Sequence, residues 1–154
     1  MEEKNLALQF AMKLIGLRRR SVFEIEKRLQ QKNYPCDIID QVIKELKGFG
    51  YLNDEKFAES YVSDRINFRP CGRQLLVKEL RERGVEESVA ENKINELLDS
   101  EKEMALAEKM LIKKMKFTDK NAGKNKLYKK YASFLQSKGF SFDIISKALE
   151  NKLK

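Results

Sequence analysis

The chain has 154 residues, of which 42% are hydrophobic and 36% charged, and a formal net charge of +8. That length fits one ordinary domain or a short array of small modules. The apolar fraction, with only 7 Gly and 2 Pro, excludes disordered and collagen-like chains, and the abundance of Lys, Glu, Leu and Ile predicts a mostly helical protein.

Apolar residues recur at helical spacing almost throughout. Leu6, Phe10, Leu14 and Leu17 predict one face of a first helix. Ser21-Val22-Phe23-Glu24 reads as a capping box, hydroxyl to backbone and carboxylate back again, opening a second helix through Ile25 and Leu29. Asn33 to Pro35 breaks it, and Ile38, Ile39, Val42, Ile43 and Leu46 mark a third helix stopped at Gly48. Asn53 or Asp54 caps a fourth, carrying Phe57, Tyr61, Val62 and Ile66. After Arg69-Pro70-Cys71-Gly72, Leu76 and Leu80 mark a fifth helix, and Val89, Ile94, Leu97 and Leu98 a sixth. Met104, Ala107, Leu111 and Met115 mark a seventh, followed by a polar loop from Thr118 to Asn125. Leu127, Tyr131, Phe134 and Leu135 give the eighth, Gly139 stops it, and Ile144, Ile145, Ala148 and Leu149 give the ninth.

One phrase occurs three times, as Leu29-Gln-Gln-Lys-Asn-Tyr34, Leu80-Arg-Glu-Arg-Gly-Val85 and Leu135-Gln-Ser-Lys-Gly-Phe140. Each has the cation, the Asn or Gly and the apolar residue of a helix end closed by a left-handed residue. The copies are 51 and 55 residues apart, which predicts three tandem three-helix modules, residues 1–50, 51–100 and 101–154, each leaning on its neighbours. The fold class expected is all-α, an elongated curved array of helix-turn-helix-like repeats.

The chemical inventory is thin. There is no His and only 2 Cys, so a Ser-His-Asp triad, His-ligated zinc and a disulfide framework are all excluded. The glycines form neither a dinucleotide fingerprint nor a P-loop, and Asp99, Glu101 and Glu103, two apart on a helix, do not converge on a cation. No catalytic residue, metal or cofactor is expected. An acidic N-terminus without an apolar segment, the lack of any membrane-length apolar run and the few cysteines predict a cytoplasmic protein with no membrane partner.

Charge is uneven: the three modules carry net +3, −3 and +8, and all nine arginines precede residue 101. Arg18, Arg19 and Arg20 either complement the C-terminal dipole of the first helix or form a patch for phosphate or an acidic protein face. Arg65, Arg69 and Arg73 stand at the matching junction of the second module, where neighbouring acids such as Asp64 are alternative partners. Between Lys109 and Lys130 nine lysines face one acid, Asp119, which is either a solvated face or a field for polyanions. Within it Lys124, Lys126, Lys129 and Lys130 lie away from the core positions Tyr131, Phe134 and Leu135; Phe117 and Tyr128 fit either role. Cys36 and Cys71 read as inert thiols at helix starts.

Arg20-Ser21 with Glu24 and Leu29, then Gly50-Tyr51-Leu52-Asn53-Asp54 with Phe57-Ala58 and Tyr61-Val62, resembles the RecX family of regulatory proteins. Gly72, Glu79-Leu80, Gly84-Val85 and Leu135-x-x-Lys-Gly139-Phe140-Ser141-x-Asp143-x-Ile145 extend the likeness over nearly the whole chain, with Asn33 in place of the first cap Gly and a weak match at the first helix of the third repeat. The resemblance implies three tandem three-helix repeats and a non-enzyme; the repeated phrase and the absence of any strand pattern predict a monomer. It also implies binding to RecA recombinase filaments on DNA, with inhibition of their ATPase, strand-exchange and coprotease activities in DNA repair, homologous recombination and the SOS response. Weak direct DNA binding is compatible with it. Two other readings stay open: a tandem helix-turn-helix nucleic-acid binder, against which the acids on 86–99 count, and a scaffolding array, which the charge of the last third fits poorly.

Overall fold

The computed structural model describes residues 1–118 and 121–153, and among them finds nine α-helices and no strand. Asp119 and Lys120, part of the lysine-rich stretch, lie outside the described residues. The first module contains α1 (Glu2–Leu17), α2 (Val22–Gln31) and α3 (Cys36–Gly48). The second contains α4 (Asp54–Phe68), α5 (Arg73–Glu82) and α6 (Glu87–Leu97), and the third α7 (Ser100–Lys116), α8 (Lys124–Ser137) and α9 (Phe142–Lys152).

In every module the third helix packs on both others and closes a separate core. Ala7, Ile25, Leu29, Val42 and Leu46 lie in the first, Ala58, Val62, Leu80 and Ile94 in the second, and Ala107, Leu111, Leu135 and Leu149 in the third. The buried face of α1 differs from the expected one. Ala7, Ala11 and Leu14 are inside, whereas Leu6 and Leu17 are 54% and 72% exposed. Small residues allow α3 to approach closely, so the stripe turns by one residue toward the alanines, a choice that a pattern of large apolar side chains does not show.

Local signals form as read. Ser21 Oγ accepts from the Glu24 N–H at 3.1 Å and Glu24 Oε1 accepts from the Ser21 N–H at 3.2 Å. Asn53, not Asp54, caps α4. Asn33, Gly84 and Gly139 are left-handed, at φ 66°, 79° and 88°. The residue after each donates back to the repeated leucine: Tyr34 to Leu29 at 3.2 Å, Val85 to Leu80 at 3.0 Å and Phe140 to Leu135 at 3.2 Å.

The modules join twice by one device, in which the start of a second helix sits on the end of the next module's second helix. At the first joint Ser21 Oγ donates to the Arg83 carbonyl at 2.6 Å and the Val22 N–H to Asp54 Oδ1 at 2.9 Å, with Phe23 lying over Gly84. At the second, the N–H groups of Gly72 and Gln74 donate to the Lys138 and Gly139 carbonyls at 2.7 and 3.1 Å. There the Arg73 N–H donates to buried Glu103 Oε2 at 2.8 Å, and Leu75 lies over Gly139. In both joints donors of a helix start, the Ser21 hydroxyl in the first and the Gly72 and Gln74 N–H groups in the second, meet carbonyls of a helix end, and one N–H of that start meets a carboxylate from the next module's first helix. Gly84 and Gly139 therefore serve twice, once for the positive φ and once for the neighbouring side chain. Asn33 is exposed at the outer end of the array, so there only the φ matters, and Asn tolerates it.

Candidate partner interface

The first joint opens into a cleft of about 1140 Å³ between α2 on one side and α4 with the end of α5 on the other. Its cations are Arg18, Arg19, Arg20, Lys27, Arg28 and Arg83; its acids are Glu24, Asp64 and Glu82. The capping box fixes the centre. Glu24 Oε2 accepts from Arg18 Nη2 at 2.6 Å while Oε1 holds the Ser21 N–H. Burial raises the Glu24 pKa, but these bonds outweigh it and hold the carboxyl below its ordinary range. With Glu24 committed in this way, Arg20 has a buried Nε without a partner among the described residues. Burial, then the like charges of Arg18 and Arg28, lower its guanidinium pKa. A guanidinium retains its proton across the physiological range regardless, so the cleft wall presents clustered positive charge in a partly desolvated setting.

On the opposite wall Arg83 lies 4.5 Å from the centre of the Tyr61 ring, and its Nη1 donates to the Glu79 carbonyl at 3.0 Å. Tyr61 Oη donates to Glu79 Oε2 at 2.9 Å, and its pKa is pushed up to about 12 by burial and then by that carboxylate. Lys32 stands 5.3 Å over Phe10 in the first module. Thus the cation of the repeated phrase covers an aromatic of the first helix in both modules, worth about 0.5–1 kcal/mol at a partly exposed site.

The ten basic residues singled out from the sequence divide into three groups. Arg18, Arg19 and Arg20 share the cleft, joined by Lys27, Arg28 and Arg83. Arg65 pairs with Glu79, at 2.8 Å through Nη2 and 3.1 Å through Nε, and bonds the Arg69 carbonyl at 2.7 Å. Arg73 stitches the second joint, reaching the Leu98 carbonyl at 3.2 Å and Glu103 at 3.9 Å. Arg65 and Arg73 hold the fold together, and only Arg69 of that trio is exposed. Lys124, Lys126, Lys129 and Lys130 are all exposed on the first turns of α8, without an ion pair among the described residues and without an acid in the first turn. Lys27 and Arg28 were within reach of sequence reasoning, since Arg20, Glu24, Lys27 and Gln31 follow one helical stripe; Arg83 arrives from another module and was not.

Cys71 is buried in the turn before α5, not at a helix start, and burial pushes its thiol up to about 11; Cys36 is exposed at the start of α3. Phe117 and Tyr128 are exposed, at 84% and 44%, so neither is core. Among the described residues, no cluster could hold a metal ion and no helix is long and apolar enough to cross a membrane.

Models of the first, second and third three-helix domains of RecX match residues 7–46, 53–93 and 101–149. The chain belongs to the RecX family. A regulatory protein RecX of Pelodictyon phaeoclathratiforme is 34% identical over 143 residues, covering 93% of this chain and 86% of that protein. One of Bacillus pumilus is also 34% identical over 143 residues, but the match spans 92% of this chain and 53% of that protein, so the chain covers about half of that longer relative. The crystal structure of RecX from Lactobacillus salivarius has the same fold, with a TM-score of 0.88 at 22% identity over 97% of this chain and 96% of that one. Membership of this family of regulatory proteins agrees with the three-module architecture.

Proposed function

We propose that this chain binds RecA recombinase filaments on DNA and inhibits their ATPase, strand-exchange and coprotease activities, acting as a monomer in the cytoplasm without catalytic chemistry or a cofactor. The observation that carries the reading is the cleft at the first joint. Arg18 and Glu24 neutralise one another, leaving Arg19, Arg20, Lys27 and Arg28 for a polyanionic or acidic partner. Arg69 and the four α8 lysines are further exposed cations in the second and third modules. A helix-turn-helix reading on α6 is disfavoured, because Glu87, Glu91 and Glu96 are exposed on it and a major-groove helix carries few outward acids.

An ATPase titration of the host's RecA on single-stranded DNA tests this. Inhibition is expected well below one inhibitor per RecA, because a ligand bridging neighbouring protomers acts on the assembly. Unchanged hydrolysis at equimolar folded protein overturns the reading. A pull-down from lysate with and without nuclease then separates protein-borne from nucleic-acid-borne attachment.

A further inference from the structure

The first helix of each module closes on a large apolar side chain left in solvent, Leu17 and Phe68 as the last helical residue and Phe117 as the residue after α7: they are 72%, 79% and 84% exposed. The register is the same each time. Leu17 stands ten residues after Ala7 and six after Ala11, Phe68 ten after Ala58 and six after Val62, and Phe117 ten after Ala107 and six after Leu111. All six reference positions are 0% exposed. At 3.6 residues per turn the end residue lies about 100° round the helix from the core pair, and none of the three belongs to a core or packs against one. A single exposed apolar side chain is ordinary. Exposure at one register in all three modules is a pattern, and folding does not require it.

Each of these side chains has an uncommitted cation close by in sequence: Arg19 after Leu17, Arg69 after Phe68, and Lys113 and Lys116 before Phe117, whereas Arg18 is held by Glu24 and Lys114 lies over the Phe134 ring. The surroundings repeat as well. Leu17 and Phe68 each come four residues before the helix start that forms a joint, Ser21 and Gly72. Both joints set the start of a second helix on the end of the next module's second helix, so one station recurs with each module along the array.

We propose that Leu17, Phe68 and Phe117 are the anchors of a docking surface for a polymer of identical protein subunits, each subunit offering an apolar pocket with an acidic rim. The proposal rests on the functional reading above, in which the partner is a filament, and it identifies the side chains that seat on it. Three equivalent stations are filled together only by a partner that itself repeats. The flanking cations call for acids around each pocket. Single-stranded nucleic acid also repeats, but its bases stack on aromatic faces, and Leu17 has none; leucine and phenylalanine both fill apolar pockets, where interface binding energy concentrates. Once one anchor is seated, the others bind intramolecularly, at an effective concentration that makes the assembled polymer a far better partner than its free subunit.

The test uses the full chain and its variants Leu17→Ser, Phe68→Ser, Phe117→Ser and the triple. The probes are RecA filaments assembled on single-stranded DNA with a slowly hydrolysed ATP analogue, unassembled RecA, and the bare oligonucleotide. Wild type is expected to bind the filament on the order of 100-fold more tightly than unassembled RecA. Each single change should weaken filament binding by about tenfold, and the triple should bind filament no better than free subunit, all with wild-type melting temperatures. If the triple melts early, the three single variants decide. Wild type that fails to bind the filament overturns the functional reading and this proposal together. Wild type that binds while the variants bind equally well overturns this proposal alone. Variants that lose the bare oligonucleotide in the same proportion assign the stations to nucleic acid and also overturn it.

Discussion

Phe23 lies over Gly84 across the first joint, in the space that a side chain on Gly84 would need. Gly84 is thus constrained by its own φ of 79° and by a residue 61 positions away. The two constraints are separable. Gly84→Ala meets both and is expected to cost about 1–3 kcal/mol from the left-handed backbone alone, plus the displacement of Phe23. Gly84→Asn removes most of the backbone strain and keeps the clash. A denaturation cycle of wild type, Gly84→Asn, Phe23→Ala and the double variant should show the pair coupled by roughly 0.5–3 kcal/mol, with Phe23→Ala relieving part of the Asn cost. Additive effects would mean that the joint tolerates a Cβ. The control is Asn33, where no module docks, and Asn33→Gly should change stability little.

That comparison also marks what could be read from the sequence. The repeated phrase revealed the modules because a helix end closes within six residues, and the Ser21 capping box closes within four. Asn33 in place of Gly was visible as a departure, but its meaning was not, because the reason lies in Phe23 and Leu75 pressing on the other two caps. The same limit governs the site. Arg18 to Arg20 are adjacent and announce themselves. The pairing of Arg65 with Glu79 joins two helices, and that of Arg73 with Glu103 two modules, and neither partner is nominated by spacing. The apolar face of α1 was misplaced for a different reason: Ala7 and Ala11 carry little hydrophobic signal, yet they set how closely α3 approaches.

Acid should weaken the first joint through Glu24. Its folded-state pKa is lowered, because the bonds from Arg18 and the Ser21 N–H outweigh burial. A lowered pKa means stability that is present above the unfolded-state value, about 4.3 for Glu, and lost as pH falls through the folded value. Glu24→Gln removes that titration. The gap in urea midpoint between wild type and Glu24→Gln should be constant near neutrality and shrink steadily below about pH 4.3. A gap independent of pH would show that the carboxylate contributes only as a cap.

The two thiols should differ in reactivity. Cys71 is buried and its thiol is pushed up to about 11, whereas Cys36 is exposed. Reactivity follows thiolate fraction and access, so a colourless-to-yellow disulfide reagent at pH 8 should titrate one thiol per folded chain quickly. The second should react only at the rate of opening of the second module and at once in denaturant. Cys36→Ser should abolish the fast phase. Two fast thiols in the native protein would mean that the turn before α5 opens freely.

The lysines of α8 offer the sharpest separation of binding from folding. Lys124, Lys126, Lys129 and Lys130 are exposed, and Gly123 supplies no side-chain cap to a first turn that contains no acid. Cations at a helix start oppose the macrodipole. Changing all four to Gln should therefore leave the melting temperature unchanged or raise it slightly, against about 0.5 kcal/mol or less for each exposed substitution. Filament binding should weaken, and its logarithmic dependence on salt should become shallower by at most about 0.7–0.9 for each lysine that neutralised a phosphate. Arg18→Gln, Arg19→Gln and Arg20→Gln, made together, should weaken binding more per residue, because planar guanidinium groups engage phosphate or carboxylate through two bonds. Arg18 also anchors Glu24, so that variant is read beside Arg19→Gln with Arg20→Gln alone, in which the Arg18–Glu24 pair is intact. If the lysine variant matches wild type in affinity and slope across the salt series while the arginine variants do not, the positive charge of α8 is a solvated face and, of the two charged patches, only that of the first joint meets the partner.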